Sequence, residues 1–166
     1  TNYPTTTRFG AQGGADIIIT KFNAAGTALI GSVKIGGAND DGINIRTKYL
    51  APAGTQTIRR NYGDDARSEV IFDNSGNITL ASCTRSLDFP VVGPLLNNGG
   101  NAGSQDGVVL QFNSTLSQYL FGSYFGGSGD DACFVASVNP LSGNLVIAGG
   151  TTSSNLRGVT AGVVGN

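Results

Sequence analysis

The chain has 166 residues, of which 39% are hydrophobic and 13% are charged, and its formal net charge is −1. This composition can form a core and excludes a highly charged disordered chain. The near-neutral charge excludes a field that gathers nucleic acid or anionic lipid. The sequence has no histidine, which removes the commonest general base and metal ligand. No apolar run approaches the roughly 18 residues that span a bilayer, so we expect no membrane insertion.

The 26 glycines, together with many Thr, Ser and Asn residues, predict an all-β fold with many tight turns. In chain order, short apolar runs bounded by turn residues predict strands at 16–22, 28–35, 68–73, 77–83, 106–112, 118–125, 133–138 and 144–149. We expect almost no helix.

An internal repeat is the main signal in the sequence. The segment from Asp16 through Phe22-Asn23 to Gly36-Gly37 and Asp40-Asp41 aligns without a gap with a second segment 90 residues later. That second segment runs from Asp106 through Phe112-Asn113 to Gly126-Gly127 and Asp130-Asp131. A fixed period of this kind is typical of repeat architectures.

A second alignment relates the segment that follows Gly63-Asp64-Asp65-Ala66 to the segment that follows Gly129-Asp130-Asp131-Ala132. Its offset is 66 residues and becomes 67 before the Ser-Gly-Asn turns at Ser75 and Ser142. Together the two alignments give four short antiparallel strands per unit, which is the pattern of a β-propeller blade.

The sequence therefore predicts a partial β-propeller with about two blades' worth of strands. We expect a half-blade at 1–41, an insertion at 42–62, a full blade at 63–127 and a half-blade at 128–166. Closed propellers need roughly four to eight blades. Residues 1–166 are thus expected to be a fragment of one propeller domain, completed by the rest of its polypeptide or by adjacent blades. We also expect 16–35 and 133–149 to expose more apolar surface than the middle unit.

The insertion near 42–62 reads as an added hairpin around Pro52 and Gly54. It and the residues just after it hold half of the basic side chains, namely Arg46, Lys48, Arg59, Arg60 and Arg67. Such a cluster usually faces water. The alternative is a contact patch for an acidic protein partner or a surface glycan.

The paired acids Asp40-Asp41, Asp64-Asp65 and Asp130-Asp131 have two interpretations. Calcium binds six to eight oxygens, and an acidic pair beside glycines can supply some of them. The pairs recur at one position of the unit, however, which favours a recurrent turn capped by Asp side chains. We predict turns, keep calcium as the alternative, and expect no other cofactor.

No catalytic constellation is visible, so we assign no catalytic residues and expect no enzyme activity from this chain. A Ser or Cys nucleophile has no histidine to activate it. Cys83 and Cys133 lack metal-ligand spacing. We predict that they are two buried small side chains rather than a disulfide, because both fall in strands and disulfide geometry is strict.

The strings Gly126–Asp131, Asp73–Asn77, Ser86–Pro90 and Asp106–Asn113 resemble the bacterial β-propeller repeat called the SBBP repeat. The resemblance covers nearly the whole chain apart from the 42–62 insertion. It differs also at Asn39, which stands where the later unit has a glycine. The resemblance implies a long exported or surface-attached bacterial protein, similar to adhesion-related proteins and to cargo of the type IX secretion route. It implies no catalytic residues.

We therefore interpret the chain as a non-catalytic structural and interaction module of an exported bacterial surface protein. Its expected location is extracellular or on the cell surface, and its expected partners are neighbouring blades, secretion machinery, or a surface glycan or protein. The alternative is part of a propeller enzyme, for example a carbohydrate-active one, whose active site is completed by further blades. Because fold alone does not decide function, convergence of acids or metal ligands at one mouth would favour the enzyme.

Overall fold

The computed structural model of the chain describes residues 3–43, 68–94 and 104–156. Within these ranges the secondary structure is entirely β, without a helix. The nine strands are β1 (Thr7–Phe9), β2 (Ile17–Phe22), β3 (Leu29–Ile35), β4 (Glu69–Phe72), β5 (Ile78–Thr84), β6 (Asp106–Phe112), β7 (Tyr119–Phe125), β8 (Asp131–Val138) and β9 (Leu145–Thr151). The described part of the chain accordingly offers no apolar helix of membrane-spanning length.

All eight predicted strands are present, with ends shifted by a few residues. β1 was not predicted; it is a three-residue strand that pairs in parallel with β3. β8 begins at Asp131 rather than at residue 133, so the second aspartate of that pair enters the strand instead of remaining in the turn. The all-β class is confirmed.

The strands form three sheets. The first sheet has the order β1-β3-β2, the middle sheet β4-β5-β6-β7, and the third sheet β8-β9. Consecutive strands within each sheet are antiparallel, apart from the parallel β1–β3 pair. The four strands predicted within 63–127 thus form one sheet in sequence order. No sheet of the described ranges closes on itself.

The middle sheet is packed between the other two. One of its faces carries large residues, including Ile78, Leu110 and Phe112, which form a core with Ile19 and Val33 of the first sheet. Strand side chains alternate between faces. The opposite face therefore carries Ala81 and Val109, which pack with Cys133 and Ala136 of the third sheet. β5 and β6 are buried on both faces because another sheet packs on each face of the middle sheet.

The hairpin turns are built by one repeated device, an Asn or Asp just after the first strand. Asn23 Oδ1 accepts from the N–H groups of Thr27 (2.8 Å) and Ala28 (3.1 Å). Ninety residues later, Asn113 Oδ1 accepts from Ser117 (2.9 Å) and Gln118 (3.1 Å). These side chains satisfy backbone donors that the turn leaves unpaired.

One position of this turn departs from the repeat. Gly26 has φ +69°, and its counterpart Leu116 has φ +59°, a backbone region that non-glycine residues rarely adopt. Leu116 is fully buried in the core between the first and middle sheets. We infer that burial of this side chain offsets the backbone strain.

Exposed large hydrophobic side chains lie on the two outer sheets and also on the edge strands of the middle sheet. Large hydrophobic side chains are exposed on β2 and β3 and on β8 and β9, namely Ile18, Phe22, Leu29, Ile30, Val135, Leu145 and Val146. The middle unit exposes Val70 and Phe72 on β4 and Leu120 on β7, whereas β5 and β6 have no exposed large hydrophobic side chain. That 16–35 and 133–149 expose more apolar surface than the middle unit stays a prediction. The burial of β5 and β6 follows from their position, because they have strands on both edges and a sheet on each face.

Candidate functional site

The first Gly-Gly-x-x-Asp-Asp loop ties the end of β3 to the end of β5. Asp41 Oδ2 accepts hydrogen bonds from the N–H of Gly37 (2.7 Å) and from Ser86 Oγ (3.0 Å). Asp41 Oδ1 accepts from Thr84 Oγ1. Ser86 Oγ in turn accepts from the N–H of Asn39 (2.9 Å). We call this set, loop 36–41 on segment 84–88, the first clasp.

The second Gly-Gly-x-x-Asp-Asp loop makes three of these four hydrogen bonds after β7. Asp131 Oδ2 accepts from the N–H of Gly127 (2.8 Å) and from Ser153 Oγ (2.7 Å). Ser153 Oγ accepts from the N–H of Gly129 (2.8 Å). This set, loop 126–131 on segment 151–155, is the second clasp. The repeat therefore conserves a three-dimensional contact as well as a strand pattern.

The first aspartate of each pair caps a different backbone group. Asp40 Oδ1 accepts from the N–H of Ala15 (3.0 Å), and Asp130 Oδ1 accepts from the N–H of Ser104 (2.8 Å). Asp40 also lies 3.4 Å from a guanidinium nitrogen of Arg85. The predicted bonds from Asp side chains to backbone N–H groups are thus present at both described pairs. Asp64 and Asp65 lie outside the described residues.

Each clasp brings a second buried carboxylate close to the first. A Cβ on Gly36 would collide with the carboxylates of both Asp16 and Asp41, and a Cβ on Gly126 would collide with those of Asp106 and Asp131. Only glycine therefore fits at the start of each loop.

The charge around the two acid pairs differs. Lys34 Nζ lies 2.5 Å from Asp16 Oδ2. Its counterpart in the second unit is Tyr124, whose hydroxyl donates to the Ser86 carbonyl (2.9 Å) and accepts from the N–H of Phe89 (2.8 Å). At the position where the first unit has the cation of Lys34, the second unit therefore has a neutral hydroxyl.

Burial raises the pKa of Asp41, and it outweighs the hydrogen bonds from Thr84, Gly37 and Ser86, which lower it; the charge of Asp16 raises it further. Burial is also the main cause that raises the pKa of Tyr124 to about 12. The first clasp therefore holds Asp41 in a setting that penalises its charged form.

The geometry of the clasps suits structural bonding better than calcium binding. Both carboxylate oxygens of Asp41 and Oδ2 of Asp131 accept N–H and O–H donors of the chain itself, and a donor aimed at an oxygen competes with a cation there. The described ranges contain no group of three or more His, Cys, Asp or Glu residues that could hold a metal ion.

The two cysteines are free and buried, as predicted. Burial is the main cause that raises the pKa of each thiol to about 12. The thiolate is the reactive form of cysteine. Neither Cys83 nor Cys133 is therefore activated for nucleophilic chemistry at neutral pH.

The basic patch predicted from Arg46, Lys48, Arg59, Arg60 and Arg67 lies outside the described residues, as does most of the insertion at 42–62. The sequence reasoning missed the clasp partners Thr84, Ser86 and Ser153. The signal for them was the Thr-x-Ser spacing at Thr84 and Thr151, which the offset of 67 residues relates.

Comparisons with protein-family models, curated proteins and solved structures gave no match to the chain.

Proposed function

We propose that the chain is a structural repeat module of the β-propeller kind, of the SBBP type, in an exported bacterial protein. The observation that carries the proposal is the stack of three sheets joined by two equivalent clasps. In a propeller each sheet is buried by its neighbours, and repeat units bury their apolar faces only by stacking. The middle sheet has this environment on both of its faces.

The use of the buried polar groups supports a non-catalytic role. Asp41 and Asp131 bind backbone and hydroxyl groups within their own clasps, and their carboxylates lie against Gly36 and Gly126. A carbohydrate-active enzyme needs two carboxyl groups that flank a bound sugar. The clasp acids have instead the surroundings of residues that fix loops.

An extracellular or cell-surface location is part of the same proposal. It draws on the SBBP resemblance, which implies export, with the type IX secretion route as one path. Free cysteines do not argue against it, since two buried thiols with strict strand geometry need not pair. The partners proposed are neighbouring repeat units, the export machinery, and a glycan or protein at the surface.

Antibody labelling of the producing bacterium tests this proposal. An antibody against the chain is expected to label intact cells as strongly as permeabilised ones. Labelling that needs permeabilisation would contradict the surface location. As a second readout, purified chain is expected to release no reducing sugar from a panel of bacterial polysaccharides. Release that the folded variant Asp131→Asn loses would contradict the non-catalytic role.

A further inference from the structure

Two strands of the molecule have an open edge where their counterparts are paired. Within the described ranges, β2 ends the first sheet and β9 ends the third sheet. Their repeat counterparts in the middle sheet are β6 and β5, which pair antiparallel from Ile78↔Phe112 to Thr84↔Asp106. β9 and β2 are therefore the repeat counterparts of β5 and β6, which pair with each other in the middle sheet.

The repeat offsets give the register in which these halves would pair. The offset of 90 relates Phe22 to Phe112 and the offset of 67 relates Leu145 to Ile78. The internal pair Ile78↔Phe112 thus places Leu145 opposite Phe22. The last pair of the β5–β6 register is Thr84↔Asp106, and the same offsets place Thr151 opposite Asp16. Every residue of β9 therefore has a partner in this register.

Within the described ranges, no sheet covers the outward face of β2. Ile18 and Phe22 are 46% and 56% exposed, whereas their counterparts Val108 and Phe112 are fully buried. Ile19, on the other face of β2, is already buried against the middle sheet. The exposed face is therefore the one that the repeat buries when a further sheet lies beside it.

An apolar cleft beside β9 matches this face. The cleft has a volume of about 480 Å³ and is lined by Val109, Phe121, Phe125, Leu145 and Ile147. Directly opposed residues of paired strands point to the same face of a sheet. A strand that adds to β9 with Phe22 opposite Leu145 therefore directs Phe22 and Ile18 into the cleft.

We propose that a second copy of this chain fills the site, with β2 of one copy adding to β9 of the next. By the repeat, the occupant is a strand with Asp at its start, apolar residues at the positions of Val108 and Phe112, and Phe-Asn at its end. β2 has that pattern, an open edge and an exposed apolar face. Addition of a strand to an open edge gains main-chain hydrogen bonds, and alternate side-chain pockets give specificity.

The contact is heterologous, since β2 and β9 are different surfaces of each copy. Such contacts generate a ring if the rotation closes and a filament if it does not. Each copy contributes a complete middle sheet, and each of its outer sheets joins an outer sheet of a neighbouring copy through the β9–β2 pair. The stack therefore continues with the same junction between all copies. This inference deepens the proposed module function and rests on it for the stacking of sheets.

Molar mass in solution is the first test. Light scattering with size exclusion over a wide concentration range is expected to show oligomers of the wild-type chain. The exposed-face variants Ile18→Lys and Phe22→Asp are expected to shift the chain to monomer with an unchanged β-type circular dichroism spectrum. The control Leu87→Lys changes a side chain that is 72% exposed and lies on neither open edge, and it is expected to remain oligomeric.

Disulfide trapping tests the register. Gln111 Nε2 lies 3.3 Å from Thr79 Oγ1 in the internal pair, and the counterparts of these residues are Lys21 and Val146. The double variant Lys21→Cys/Val146→Cys is expected to form a ladder of covalent oligomers on mild oxidation. The control Thr20→Cys/Val146→Cys moves one thiol to the opposite face and is expected to give no ladder.

Two outcomes would overturn a second copy of the chain as the strand that pairs with β9. A chain that stays monomeric at every concentration and forms no ladder overturns the second-copy proposal. Equal ladders from both double variants also overturn it, because they indicate association without the register. Either result leaves the surface-labelling experiment untouched, so failure of this inference and failure of the proposed function are separable.

Discussion

β5 and β9 are the same strand of the repeat in two different surroundings. All seven residues of β5 are buried, while most residues of β9 are exposed. Among the described strands, β5 has strands on both edges and sheets on both faces, whereas β9 pairs only with β8. The comparison teaches that burial of a repeat strand is supplied by its neighbours, as expected when each unit contacts only the units beside it.

The largest expected effect comes from comparing Phe112 and Phe22, which occupy the same position in the two repeated segments. Phe112 is fully buried and stacks on Tyr119 with ring centroids 4.8 Å apart. We expect Phe112→Ala to lower the free energy of unfolding by about 3–5 kcal/mol, because it leaves a cavity in a packed core.

Its matched control is Phe22→Ala, at the exposed counterpart. At a concentration where the chain is monomeric, we expect a cost of about 1 kcal/mol or less. Urea unfolding of the two variants measures the contrast. Equal costs would mean that the first and middle sheets do not differ in burial as described.

The two clasps allow a second comparison. Asp41 accepts hydrogen bonds from Gly37, Ser86 and Thr84, while Asp131 accepts from Gly127 and Ser153. Replacement by alanine leaves these donors unsatisfied in the interior, at about 1–3 kcal/mol for a buried group.

We expect Asp41→Ala to lower the midpoint of urea unfolding more than Asp131→Ala, because it orphans one more donor. The reverse order would show that the second clasp contributes more to the fold than its hydrogen bonds indicate.

These contacts also show which features of the fold could be predicted from the sequence and which could not. The eight main strands follow from alternation and the repeat, which are local signals. Local patterning did not indicate the partners of Asp41, because Thr84 and Ser86 lie more than forty residues away, beyond an insertion; only the repeated Thr-x-Ser spacing pointed to them. β1 is too short to show a period. Leu116 stands in a left-handed turn position because tertiary burial overrides the local preference.

The smallest expected effect is a difference in pH dependence. Folding raises the pKa of Asp41 above its usual 3.8, chiefly through burial, so its contribution to stability is greatest below that pH and is lost as pH rises through the folded-state pKa. Folding lowers the pKa of the more exposed Asp73, chiefly through a hydrogen bond from the Asn77 side chain. Its contribution is present above pH 3.8 and is lost as pH falls.

The variants Asp41→Asn and Asp73→Asn separate these two contributions. As pH rises from about 3.8, the stability of wild type relative to Asp41→Asn is expected to fall. As pH drops below 3.8, the stability of wild type relative to Asp73→Asn is expected to fall. Urea unfolding at a series of pH values measures both, and slopes of the same sign would contradict the assignment.

Amide hydrogen exchange of β5 and β9 as a function of protein concentration tests the account most directly. We expect the β5 amides to be protected at every concentration. The β9 amides that do not bond to β8 are expected to exchange fast in dilute protein and to become protected as concentration rises, because β2 of another copy then covers them. Protection of β9 that never changes with concentration, whether high or low, would contradict the account.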